Sequence, residues 1–194
     1  MNQGHNELCG SPEWAEYLAT DVLPKVMGGV DLGDHLIEVG PGFGLATDVL
    51  KTTVERVTSV EIDPVYARDL AARFEGTNVE VVEGDATALT FDDATFSSAA
   101  SFTMLHHVPS VSQQDKLLAE VARVLQPGAV FIGSDSLDSP GFRQFHEGDT
   151  CNPVDSAELA GRLEVAGFDR VKVTVDSADG DGGTVLFMAR TPGS

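Results

Sequence analysis

The stretch Ile37-Glu38-Val39-Gly40-Pro41-Gly42-Phe43-Gly44 joins an apolar run, His35–Val39, to the start of a helical pattern, and sets one acid and three glycines at that junction. A Gly-x-Gly pattern after a strand lets the backbone turn tightly and approach a ligand, and the following helix presents free N–H groups. In a dinucleotide fingerprint the third glycine follows two intervening residues. Here Gly40, Gly42 and Gly44 are evenly spaced, and position 45 is Leu. Glu38 discriminates further, because a carboxylate two residues before the first glycine opposes a pyrophosphate and attracts an ammonium group. The junction predicts a site for a ligand that carries positive charge.

Working outward, short apolar runs alternate with helical patterns, the rhythm of a parallel sheet covered by helices on both faces. Strands are predicted at His35–Val39, Val57–Glu61, Val79–Val82, Phe96–Phe102, Ala129–Ser134, Arg170–Val175 and Thr184–Ala189. Helices are predicted at Gly44–Val54, Pro64–Phe74, Ser112–Leu125 and Ser156–Ala166. In the third of these, Leu117, Leu118, Val121, Val124 and Leu125 recur at helical spacing, and Pro127-Gly128 is expected to stop the helix. Ser11-Pro12-Glu13 starts an earlier helix that carries Trp14, Tyr17, Leu18 and Val22. Ser177–Gly183 reads as an exposed turn whose shortness makes the last two strands antiparallel partners. The fold class is α/β, a Rossmann-like doubly wound sheet.

Two more acids follow later strands. Glu61 ends the second strand about twenty residues after Gly40, near the spacing at which an acid captures ribose hydroxyls. A carboxylate accepts two parallel O–H bonds, which suits a cis-diol. Asp63 precedes Pro64 and suits the cap of the next helix. Asp85, in Val82-Glu83-Gly84-Asp85-Ala86, stands where a side chain or backbone group meets an adenine amino group, or serves as a plain turn residue.

Composition limits the partners. The chain has 194 residues, enough for one full core, with 12 basic residues against 31 acidic ones and a formal net charge of -19. Such a surface repels a phosphate backbone and anionic lipid, so neither a nucleic acid nor a membrane is an expected partner. Cys9 and Cys151 are too few for a disulfide framework and lack Cys-x-x-Cys spacing, which fits a reducing, cytoplasmic setting. No apolar run approaches the roughly 18 to 20 residues of a membrane span, and residues 1–10 do not read as an export signal.

Taken in combination, Glu38-x-Gly40-x-Gly42-x-Gly44, Glu61, Gly84-Asp85-Ala86, Ser101 to Val108 and Leu125-Gln126-Pro127-Gly128 resemble the class I S-adenosylmethionine-dependent methyltransferases, of the compact, methyltransferase-11-like type that methylates small molecules. The resemblance runs from about Leu36 to Ile132. It implies a seven-stranded, mostly parallel sheet with the last strand antiparallel, S-adenosylmethionine as cofactor and S-adenosylhomocysteine as product. It also implies that Glu38, Gly40, Pro41, Gly42 and Gly44 surround the methionine part, that Glu61 binds the ribose, and that Ile62 packs on the adenine. Asp85 and Ala86 would contact the adenine amino edge, with Ser101 and Phe102 closing the pocket. The sequence departs from the family at Phe96-Ser97-Ser98, where an acid often follows the aromatic residue. It also lacks the Asn-Pro-Pro-Tyr or Asp-Pro-Pro-Tyr run with which many methylases of nucleic-acid bases hold a nitrogen. The implied organisation is a single methyltransferase domain over 1–194, with a helical cover at 1–33, a cofactor-binding core at 34–134 and an acceptor side at 135–194.

The sulfonium is already an activated methyl donor, so the protein must align the acceptor and exclude water. A general base is needed only for an acceptor of high pKa. His106 and His107, leaving the fourth strand, are the candidates, with His107 preferred; the competing reading is a histidine that orders the Val108-Pro109 turn. Trp14 and Tyr17, with Phe142 and Phe145, could form an apolar lid. Arg143 could meet an anionic acceptor but more readily faces solvent. His5, Cys9, His146 and Cys151 are of zinc-binding type, but their spacing is not diagnostic and no metal is expected. Asp135–Val154 is the one segment long enough for a modest lid, which points to a small acceptor or to a second subunit completing the pocket. Two other functions fit less well: a non-catalytic cofactor-binding sensor or partner subunit, and a nicotinamide-dependent oxidoreductase.

Overall fold

The computed structural model describes residues 2–176 and 182–193. Helices α1 (Gln3–Cys9) and α2 (Pro12–Tyr17) open the chain, and α2 continues through a π-helical stretch, Leu18–Val22, into α3 (Leu23–Met27). The predicted start of α2 holds: Ser11 Oγ accepts from Trp14 N at 3.1 Å, with Pro12 in the first turn. There follow β1 (His35–Val39), α4 (Leu45–Leu50), β2 (Arg56–Glu61), α5 (Pro64–Arg73), β3 (Val79–Glu83) and β4 (Phe96–Phe102). A 3-10 turn at Leu105–His107 leads to α6 (Val111–Val124) and β5 (Leu125–Ser136). Then come α7 (Pro140–Phe145), α8 (Leu159–Val165), β6 (Asp169–Asp176) and β7 (Thr184–Arg190).

All seven predicted strands form one sheet in the order β3-β2-β1-β4-β5-β7-β6. The pairs from β3 to β5 are parallel, and β7 runs antiparallel to both β5 and β6. The Rossmann-like architecture expected from the sequence is therefore present, with the last strand reversed. Of the expected turn at Ser177–Gly183, residues 177–181 lie outside the described residues.

Several helix bounds differ, each for a local reason. Gly44 adopts φ 70° and caps α4, so the helix begins at Leu45 and is short. Leu125 closes α6 one residue early, because its backbone turns extended and pairs with Phe96 at the start of β5. Pro127-Gly128 therefore lies inside the irregular start of that strand and is not what stops the helix. The last helix, expected from Ser156, begins at Leu159. The sequence reading missed α1 and α7, which are too short to show a clear hydrophobic period. Ser110 and Ser139 cap α6 and α7 through backbone N–H groups of Gln113 and Phe142. Where family members often carry an acid, Ser97 Oγ accepts from His35 N and donates to Leu32 O, both at 2.9 Å, so a hydroxyl pins the entry of β1 to β4.

Alternation along β1 divides the core. Ile37 and Val39 point to the face covered by α6 and α8, where Leu117, Leu118, Val121 and Leu159 are fully buried. Leu36 points to the other face, against Val22, Leu23 and Leu50 of the N-terminal helices and α4. Each such side chain contributes about 1.5–3 kcal/mol on burial. Strand order reverses between β1 and β4, so the loops after these strands diverge and leave a crevice at their carboxyl ends. Among the described residues no helix is long and apolar enough to cross a membrane.

Candidate functional site

A cavity of 410 Å³ opens at this crevice, within the range for small-molecule sites. Its floor is the Gly-rich turn. Gly40 and Gly42 adopt φ 70° and 53°, a region that other residues reach only with strain. Gly40 lies against Met104, so a Cβ there would collide with that side chain. At Gly42 a Cβ would meet nothing, because the position faces open space. Pro41 lines the cavity beside them, whereas Gly44 sits behind the turn against Leu70 and shapes the helix start without reaching the wall.

Glu38 reaches the cavity from β1 yet is only 2% exposed. Its Oε2 accepts from Thr47 Oγ1 at 2.6 Å and from Ser59 Oγ at 2.8 Å. Burial pushes its carboxyl up to about 7; the two hydroxyls pull the other way, and neighbouring Glu61 and Asp48 add to the rise. Glu61 Oε2 accepts from Gly42 N at 3.1 Å and its Oε1 from Asp63 N at 2.9 Å. The carboxylate is thus oriented by two backbone amides and keeps lone pairs for a ligand. Asp63 caps α5 through Val65 N at 2.8 Å, as its place before Pro64 predicts.

Ile62, beside Glu61 on the cavity wall, is 68% exposed, an apolar side chain awaiting cover. Asp85 and Ala86 stand on the same wall, where Asp85 Oδ1 accepts from Thr87 N at 2.8 Å. Phe102, Trp14 and His107 also line the cavity. Besides Gly44, three expected residues do not. Ser101 is fully buried behind the wall, because strand alternation turns its side chain away when Phe102 faces the cavity. Tyr17 packs its ring on Trp14 and directs its hydroxyl to Thr184 Oγ1 at 3.4 Å, at the protein surface. His106 is buried off the cavity, its Nδ1 2.5 Å from Asp135 Oδ1.

The sequence reading missed several wall residues. Met104 and Phe43 follow motif residues directly, and Tyr66 stands one turn into the helix whose cap had been recognised. The Tyr66 hydroxyl donates to Asn6 Oδ1 at 2.7 Å, clamping α1 over the crevice. Cys9 and His5 reach the wall from that helix. Burial pushes the Cys9 thiol up to about 11. Phe142 and Phe145 pack on His106 and His5 respectively and do not line the cavity, and Arg143 pairs with Asp138 at 2.6 Å near solvent. Of the four residues weighed as zinc ligands, His5 and His146 do meet, but their neighbours are His106 and His107, not the cysteines.

Residues 37–133, half of the chain, match the family described as a methyltransferase domain. A Mycolicibacterium smegmatis protein named a probable S-adenosylmethionine-dependent methyltransferase is 28% identical over 144 residues, covering 71% of this chain and 52% of that protein. Ribosomal RNA small subunit methyltransferase A of Kineococcus radiotolerans is 35% identical over 123 residues, covering 58% of this chain and 40% of that one. The chain spans about half the length of these curated relatives, or less. Among solved structures, a chain in the complex of the Haloferax volcanii Trm112 methyltransferase activator with a methyltransferase superposes at TM-score 0.77 and 18% identity, covering 98% of this chain and 95% of that one. Phosphoethanolamine N-methyltransferase 2 of Haemonchus contortus, solved with S-adenosyl-L-methionine, superposes at TM-score 0.73 and 16% identity, covering 92% and 53%. The matched residues include the glycine turn, Glu61, Asp85 and Phe102, the same positions that wall the cavity, and the chain belongs to the class I S-adenosylmethionine-dependent methyltransferase family.

Proposed function

We propose that this protein transfers a methyl group from S-adenosylmethionine to a small-molecule acceptor. The observation that carries the reading is Glu61, a carboxylate held by the Gly42 and Asp63 amides on the wall of the cavity, next to the uncovered Ile62. Those groups suit a ribose diol and the adenine beside it, while Asp85 and Ala86 suit its amino edge. Gly40 and Gly42, bare of side chains, admit the methionine part close to the backbone, and Glu38 lies below them, where an arriving positive charge favours its ionised form. When bound, the donor supplies an activated methyl that passes in line to a lone pair of the acceptor, leaving S-adenosylhomocysteine.

The chain's own residues orient and desolvate the acceptor. Trp14 and Leu18 from the N-terminal helices face Phe102 and Met104 from the end of β4, and together they make an apolar chamber beside the glycine turn. Burial and the neighbouring histidines His106, His5 and His146 push His107 down to about 3, so it is a weak proton acceptor at neutral pH. This argues against the general-base role expected for it. It favours an acceptor that presents its lone pair unaided, such as a neutral amine, a thiolate or an activated carbon. The net charge of -19 disfavours the ribosomal RNA on which named relatives act.

The test is calorimetry with S-adenosylhomocysteine, followed by transfer of labelled methyl into fractionated small metabolites. Micromolar or tighter binding together with label in a small molecule supports the reading. Binding without transfer to any fraction would favour a cofactor-binding sensor, and label in RNA would overturn the choice of acceptor.

A further inference from the structure

Beside the cavity, four histidines from three separate segments converge: His5 of α1, His106 and His107 of the turn after β4, and His146 just after α7. One ring nitrogen from each lies within 4.8 Å of the others. Three of the four are only 2 to 3% exposed. The methyl-transfer reading uses none of them as a set.

Three of the four, His5, His106 and His146, are held as ligating histidines are held, one ring nitrogen engaged by an acceptor so that the other keeps its lone pair. His106 Nδ1 lies 2.5 Å from Asp135 Oδ1, a carboxylate that is itself fully buried. His146 Nδ1 lies 2.8 Å from the carbonyl oxygen of Phe142, and His5 Nδ1 lies 3.3 Å from Asp149 Oδ2. The Nε2 atoms of His106 and His146 are buried with no hydrogen-bond partner among the described residues. A buried nitrogen without a partner is costly, and two of them in one cluster of imidazoles point to a missing common partner. With Nδ1 as the donor, both Nε2 atoms present lone pairs, which excludes a shared anion and suits a cation.

We propose that His5, His106, His107 and His146 form a binding site for a divalent transition metal of the zinc class, placed at the rim of the methyl-donor cavity. Imidazole nitrogens select zinc, nickel, cobalt or copper over magnesium and calcium, which take oxygen ligands. Tetrahedral zinc at about 2.0–2.1 Å from each nitrogen needs nitrogens about 3.4 Å apart. The four rings must therefore draw in by somewhat more than an ångström at the widest pair. Burial favours the neutral form of three of them: His5 is lowered to about 4, His107 to about 3, and His146 is lowered too. A metal thus displaces few protons when it binds at neutral pH.

The metal ties the cover to the core. Asn2 N donates to Asp149 Oδ2 at 2.6 Å and Asn2 Nδ2 to the carbonyl of Phe145 at 2.9 Å, so α1 already rests on the segment that carries His146. An ion bound by these side chains joins that pair of segments to the end of β4. His5 and His107 stand on the cavity wall, so the ion fixes one side of the chamber that receives the acceptor.

The test uses the full chain, stripped with a chelator and titrated with cobalt(II) alone, then zinc. The expected result is one equivalent bound at micromolar affinity or tighter, with the intense visible d–d bands of tetrahedral nitrogen ligation, bleached by zinc. His107→Gln and His146→Gln should each weaken binding about 100-fold, and Asp135→Asn, acting through His106, about 10–100-fold. Circular dichroism of the metal-free variants separates loss of ligands from loss of fold. Weak, multiple binding with octahedral spectra, unchanged in His146→Gln, would assign cobalt to the acidic surface and overturn the site. The readout needs no cofactor, so failure to bind adenosylhomocysteine would sink the donor assignment and leave this site standing.

Discussion

Glu61, at the end of β2, accepts a hydrogen bond from the backbone N–H of Gly42 at 3.1 Å and so couples the carboxylate to the glycine turn after β1. The same atoms that hold the turn aim the acid into the cavity. Glu61→Ala should lower adenosylhomocysteine affinity about 100-fold, because charge-assisted hydrogen bonds contribute about 1.5–3 kcal/mol each. Glu61→Gln should cost less. Calorimetry on both variants measures this; unchanged affinity in Glu61→Ala would remove the carboxylate from the binding site.

Asp63, two residues on, separates structure from binding. Its side chain caps α5, while only its backbone N–H touches Glu61. Asp63→Ala should destabilise the fold by about 1 kcal/mol in urea unfolding and leave adenosylhomocysteine affinity within about threefold, since the amide that orients Glu61 survives.

The two glycines of the turn should fail differently. Gly40→Ala pairs a positive φ with a collision against Met104, so it should both destabilise the protein and abolish binding. Gly42→Ala meets no atom, and its φ of 53° costs about 1–2 kcal/mol. Its methyl projects into open space at the cavity, so the protein should fold with modestly lower stability and lose affinity by more than that cost implies. Melting temperature and calorimetry on the pair distinguish these effects.

Stability should rise with pH between about 4.5 and 6.5. His5 and His107 titrate near 4 and 3 when folded and near 6.5 when unfolded, so over this window the unfolded chain holds more protons and acid favours unfolding. Glu38 acts in the opposite sense. It stays protonated to about 7 when folded and ionises near 4.5 when unfolded, so its own contribution falls as pH rises. The two histidines outweigh the single acid. In urea unfolding at about pH 5 and about pH 6.5, His107→Gln should flatten the rise and Glu38→Gln should steepen it.

The seven strands were legible because buried parallel strands are short apolar runs between turn signals, and β1 and β4 are bounded as the residues predict. The caps at Ser11 and Asp63 were legible for a related reason: a cap is a local interaction, set within three residues by Ser or Asp before Pro. Side-chain direction at a strand end was less so. Ser101 and Phe102 were expected together at the pocket, and alternation leaves only Phe102 there. Helices of six or seven residues, α1 and α7, carry too few positions to show a period.

Local pattern alone determined the class of sheet, the glycine turn and the family resemblance, since each rests on short motifs whose internal spacing and order along the chain express backbone geometry. The histidine cluster is of the opposite kind. His5 and His146 lie far apart in the sequence, and nothing in their neighbours marks them as partners for His106 and His107. Only the docking of α1 and the segment after α7 onto the end of β4 brings the four rings together, because that proximity is produced by packing between elements and by no feature of the segments themselves.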